Sequence, residues 1–98
     1  MNNKELIIGK LYKTPWKCTA WEGSVITGHS DYNKNIQIAD GDCVVVLSVI
    51  ERPREVILEY GTFWIKDYKI GIMTSCGNLA VVDATSAGLE FWAKGRLA

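Results

Sequence analysis

The stretch Asp42–Lys66, DCVVVLSVIERPREVILEYGTFWIK, holds the longest apolar run of the chain, an internal turn signal and an aromatic cluster. Its first part, Cys43 to Ile50, is almost continuously apolar and β-branched, the composition of a strand covered on both faces. Glu51-Arg52-Pro53-Arg54 reads as a turn, because Pro53 fixes its own φ and offers no ladder donor. Pairing across that turn sets Val49 opposite Val56, Leu47 opposite Leu58 and Val45 opposite Tyr60, an apolar face. Val44, Val46, Ser48 and Ile50 then face the other way with Glu55, Ile57 and Glu59. Register converts that contrast into an inside and an outside. Burying each inner side chain is worth roughly 1.5–3 kcal/mol before entropy, so on this register Leu58→Asp abolishes folding. Gly61 turns the chain again, and Thr62 to Lys66 starts a further strand carrying Phe63, Trp64 and Ile65.

Upstream, Leu6 to Tyr12 suits a first strand interrupted at Gly9. Trp16, Cys18 and Ala20 alternate with Lys17 and Thr19, the period of a half-buried strand. Trp21-Glu22-Gly23 reads as a turn and Ser24 to Thr27 as a short strand. Gly28 to Asn35 is polar, holds His29, and reads as the most loop-like segment. Ile36 to Ile38 is a brief strand before a turn at Ala39–Asp42. Downstream, Asp67 to Ile70 reads as one turn of tight helix. Ile72 to Thr74 and Leu79 to Val82 flank a hairpin turn at Ser75-Cys76-Gly77-Asn78. Ser86 can cap a helix from Ala87 to Lys94, with Leu89, Trp92 and Ala93 on one side and Gly95 as its stop. A last strand through Leu89 to Ala93 fits the same residues. Six or seven short strands joined by tight turns make a mainly all-β fold, a small barrel or sandwich, in a single domain over residues 1–98.

The totals narrow the function classes. Eleven basic residues balance eleven acidic ones, whereas a domain held mainly by phosphates carries a positive excess. Cys18, Cys43 and Cys76 are odd in number and widely spaced, which does not make a disulfide framework. They read as buried free thiols acting as small hydrophobes. The start, MNNKELIIGKLYK, lacks the apolar core of a signal peptide, and no run approaches the ~20 residues of a membrane span. The expected compartment is the reducing cytoplasm.

The blocks Gly41-Asp42-x-Val44-x-Val46-Leu47, Leu58-x-x-Gly61-x-x-Trp64-Ile65 and Ile70 resemble the bacterial SH3-type barrel over residues 41–70. Phe63 stands where that family usually has a glycine, and the chain runs on past Ile70. The resemblance implies an SH3-like barrel with a C-terminal hairpin added. Such barrels bind peptides, glycans or nucleic acid, so fold alone does not give the function. The overall look is that of a small bacterial or bacteriophage accessory protein.

No catalytic or metal constellation stands out, and no cofactor is expected. A thiol can pair with His29 only if the fold brings them together, and a zinc site needs closely spaced ligands. Glu55 and Glu59 are spaced as a solvated strand face. Four tryptophans are high usage, and Trp16 with Trp64 or Phe63 are expected foremost in the core. In SH3-like barrels an aromatic-lined groove lies near the loop between the first long strands, here Trp21 to Tyr32. The expected binding surface is Trp21, His29, Tyr32 and Tyr68, with Asp31 for polar contact, and its partner a protein, such as a host protein inhibited by a phage product. Two alternatives are a small-molecule or nucleotide binder that stacks rings on exposed tryptophans, and a single-stranded nucleic-acid binder. The latter would use Lys10, Lys13 and Lys17, with Arg52 and Arg54 at a hairpin tip.

Overall fold

The structure, a computed structural model, describes residues 6–97. In chain order the elements are β1 (Leu11–Lys13), β2 (Cys18–Gly23), β3 (Ser30–Ile38), β4 (Cys43–Leu58), β5 (Gly61–Met73), β6 (Leu79–Thr85) and α1 (Ser86–Lys94). The strands form one antiparallel sheet in the order β1-β4-β5-β6-β2-β3. It curls into a half-barrel. The expected mainly-β class, C-terminal hairpin and short helix are all present.

The β-branched run does not stop at Pro53. β4 is a single strand of 16 residues, and the turn falls at Glu59-Tyr60, between the paired Leu58 and Gly61. The expected turn at Glu51–Arg54 is therefore corrected: Pro53 sits in the strand opposite Lys66. β1 pairs with β4 only from Cys43 to Val45, so the edge of β4 away from β5 is open at Pro53. An open edge is where a strand tolerates proline.

The inside and outside are also corrected. Ser48 pairs with Gly71 and Val46 with Ile72, so Leu47 is an extra residue in β4. Such a bulge reverses which side chains face in. Before it Val44 and Val46 are buried, and after it Val49 packs on the core. Leu58 is 37% exposed near the end of the hairpin. Leu58→Asp is thus expected to leave the protein folded and to shift the urea midpoint only slightly, which a denaturation curve checks.

Four further segments differ from expectation, the first being residues 6–10, which lie outside any strand and lead into β1. Ser30 to Ile38 is a strand paired with β2, in place of the loop expected to Asn35. Trp21 to Gly23 continues β2, and the chain turns at Val25–Thr27 instead. Asp67 to Ile70 lies within β5, paired with both β4 and β6.

The core gathers Tyr12, Ala20, Ile38, Val44, Val46, Ile70, Ile72, Ala80, Val82 and Trp92. Trp92 is its largest member, whereas Trp16, Phe63 and Trp64 are exposed. Thr85 caps α1 by accepting from the Gly88 N–H at 3.1 Å, and the Gly95 N–H closes the other end on the Trp92 carbonyl. Past the helix, Gly95 and Leu97 exchange backbone hydrogen bonds with Lys13 and Leu11, so the last described residues lie along β1. No helix of the described residues is long and apolar enough to cross a membrane.

Candidate functional site

Pairing along β4 and β5 outruns the rest of the sheet. β6 meets β5 from Asp67 to Met73 only, so residues 53–66 pair only with each other. They form a two-stranded arm, and the domain measures 45 × 38 × 23 Å. Residues directly opposite share a face. Val56, Phe63, Leu58 and Ile65 therefore lie on the outer side, and Ile57, Trp64 and Thr62 on the side continuous with the core. Toward its end both faces expose large apolar side chains, with Ile57 76% exposed, Tyr60 89%, Phe63 47% and Trp64 66%, while Arg54, Glu55 and Lys66 bring charge nearer its base. An isolated hairpin is marginally stable in water, and contiguous apolar surface marks an interaction site.

At the base of the arm, on the outer side, lies a polar groove of about 500 Å³. Lys69 of β5 stands directly opposite Asp83 of β6, and the two form an ion pair. Tyr32 reaches the same ammonium from β3, with its hydroxyl 2.7 Å from Lys69 Nζ and 3.4 Å from Asp83 Oδ2. It spans β2 by resting edge-on against Trp21, with ring centroids 5.0 Å apart. Next along the groove, Arg54 Nε pairs with Asp67 Oδ2 at 2.8 Å. Arg52 donates to the Thr27 carbonyl, so the turn Val25–Thr27 is tied across the outer face. The correction of the hairpin moves Arg52 and Arg54 from its tip to this groove.

Burial draws the Lys69 ammonium down, but its hydrogen bonds to Asp83 and Tyr32 and the Asp83 charge outweigh that and hold its pKa above the usual value. A raised pKa contributes stability below the unfolded value, about 10.4, which is lost as pH rises through the folded one. Lys69→Met is therefore expected to lower the unfolding free energy by about 1 kcal/mol at pH 7. The gap between variant and wild type should begin to narrow above roughly pH 10.4 in urea titrations and close only as pH passes the higher folded value.

Of the expected binding residues, Trp21 and Tyr32 are together in this cluster. Tyr68 borders the groove, but strand alternation puts its side chain on the core side with Ile70. His29 is exposed in the connection between β2 and β3, where its N–H meets Thr27 Oγ1. Asp31 accepts from the Asn33 N–H at 3.0 Å. Neither His29 nor Asp31 lines the groove. Sequence reasoning missed Lys69, Asp83 and the arm, and placed Arg54 at a hairpin tip rather than in this groove. The alternation of Asp67, Lys69 and Gly71 with Tyr68, Ile70 and Ile72 was the signal, since it marks a strand rather than a helical turn.

On the outer side the groove's basic Arg52, Arg54 and Lys69 meet acidic Asp67 and Asp83, while Glu55 lies on the core side opposite Trp64, and the basic groups are already bonded within the protein. The arrangement offers hydrogen-bonding groups to a neighbour rather than a bare anion site. Cys43 and Cys76 are exposed, correcting the expectation of buried thiols, and Cys18 is half-buried. Burial first, then the Asp42 charge, pushes the Cys18 thiol up, away from the reactive thiolate. Among the described residues no hydrogen bond joins His29 to a thiol, and no cluster of at least three His, Cys, Asp or Glu is placed to hold a metal ion. A second cleft, of about 340 Å³, runs between β2, β6 and α1 and is bordered by Trp16 and Trp21. Comparison of the chain with protein-family models, with curated proteins and with solved structures gives no match.

Proposed function

We propose that this chain is a non-enzymatic protein-binding module and that the β4–β5 arm is the element it binds with. The observation that carries this reading is the apolar surface of residues 56–65, open on both faces of a hairpin that nothing else in the described chain covers. Large aromatic side chains of this kind dominate interface energies. The groove of Tyr32, Arg54, Lys69 and Asp83 adjoins the arm and supplies the polar rim such interfaces have. Two exposed free thiols fit a reducing compartment. On the bacteriophage reading, the partner is a host protein that the chain inhibits.

The test uses the purified protein as bait, followed by titration of the recovered partner. Trp64→Ala is expected to weaken binding at least about tenfold with an unchanged circular dichroism spectrum. Full-strength binding by both Phe63→Ala and Trp64→Ala would remove the arm from the site. The cleft beside Trp16 favours a second reading, a ring-bearing small molecule stacked there, because its volume falls in the range of ligand pockets. A nucleotide or sugar bound in that cleft raises the melting temperature by mass action, and a flat response across both classes excludes them.

A further inference from the structure

The arm has two long edges, and they are chemically unlike. The open edge of β4 carries Arg52, Pro53 and Arg54 between Glu51 and Glu55. Proline and clustered charge are what keep an edge strand from pairing. The open edge of β5 is Gly61-Thr62-Phe63-Trp64-Ile65-Lys66, β-prone, free of proline and charged only at its end. Among the described residues its backbone pairs with β4 alone. One edge of the arm is thus guarded and the other is not.

We propose that the Gly61–Lys66 edge pairs antiparallel with the same edge of a second copy of this chain, joining the two arms into one four-stranded sheet. This rests on the reading of the arm as a binding element and names its partner. A two-fold axis normal to the sheet brings like faces together, so opposed residues come from the same face. Phe63 or Trp64 then lies on the axis, with its own copy opposite. Lys66 faces the uncharged Thr62 or Tyr60 of the other chain, so no like charges meet. The edge is therefore complementary to itself, which an unrelated strand is not required to be. An aromatic side chain buries about 150–250 Å² in full. At their present exposures Tyr60, Phe63 and Trp64 leave roughly 300–500 Å² per copy to cover, and Ile57 and the backbone edge add to it. A stable interface takes about 800 Å² per partner, so the dimer is a weak one, with a dissociation constant on the order of 10–100 µM.

Sedimentation velocity from about 5 to 500 µM, bracketing that range, with hydrogen exchange at both ends, tests this. The expected result is a monomer–dimer equilibrium in which amides of residues 61–66 gain protection with concentration and those of 52–56 do not. Trp64→Lys, which places a charge on the unguarded edge, is expected to raise the dissociation constant at least about tenfold while keeping the wild-type circular dichroism. If that variant fails to fold, Thr62→Lys serves as the same test at the rim of the arm. A protein that stays monomeric throughout overturns the dimer, as does one that dimerises with no change in exchange at 61–66. Such a monomer that still holds another protein through Phe63 and Trp64 leaves the binding-module reading standing. Loss of both activities removes the two together.

Discussion

Trp92→Ala is expected to lower the unfolding free energy by about 3–5 kcal/mol, the usual cost of truncating a buried aromatic. Trp92 is 1% exposed and is the largest side chain of the core. It seats α1 on the open half-barrel, and the chain after α1 runs back along β1 through Lys13–Gly95 and Leu11–Leu97 hydrogen bonds. Losing the indole therefore loosens the helix, the final segment and one edge strand together. A domain of this size has about 5–15 kcal/mol in total, so the variant should be close to unfolded at 37 °C. Urea denaturation by far-ultraviolet circular dichroism measures it. A loss below about 1 kcal/mol would mean that α1 does not close the core. Trp92→Phe, which keeps most of the ring volume, is expected to retain a cooperative transition.

Gly71→Ala is the second large effect, with an expected cost of about 1–3 kcal/mol from overpacking. β5 is flanked by β4 and β6 at this point, so its backbone has little room to yield. An added Cβ would lie 2.8 Å from Val25 Cβ and 3.0 Å from Val25 Cα, and would also meet Ser48 Oγ. Ser48 donates its hydroxyl hydrogen to the Val25 carbonyl, so the same methyl disturbs the contact that fastens the β2–β3 connection to the outer face. That connection leads into β3 and Tyr32. The variant is thus expected to change Trp21 fluorescence as well as stability. Val25→Gly in the same chain removes the Cβ contact while leaving those with Val25 Cα and Ser48 Oγ, so the pair should cost somewhat less than the sum of the single changes. Strict additivity would show that the connection does not rest on Gly71.

The mainly-β class and the Ser75–Asn78 hairpin turn were legible because local chemistry decides them, whereas the sequence left the C-terminal segment open between helix and strand and put the cap at Ser86 rather than Thr85. Ser-Cys-Gly-Asn suits a turn, and the short run after Thr85 ends at Gly95. The arm was hidden by the ambiguity of Pro53 and its flanking charges. The same residues describe a turn and a guarded strand edge, and only the reach of β1 decides between them. The bulge at Leu47 then hid the inner face, since an extra residue changes which side chains point in without changing composition. Trp64 and Phe63 look like core by type, and only the length of the hairpin carries them past the body. Trp21 and Tyr32 were recognisable as a surface aromatic pair, whereas their ties to Lys69 and Asp83 depend on strand order across β6, β2 and β3.

A nuclear Overhauser map of β4 and β5 tests the central claim, the arm itself, most directly. The account predicts cross-strand contacts joining Glu55 to Trp64, Pro53 to Lys66 and Arg52 to Asp67. Contacts joining Val49 to Val56 and Leu47 to Leu58 would contradict it. They would put the turn back at residues 51–54, abolish the exposed hairpin, and take the proposed recognition element with it.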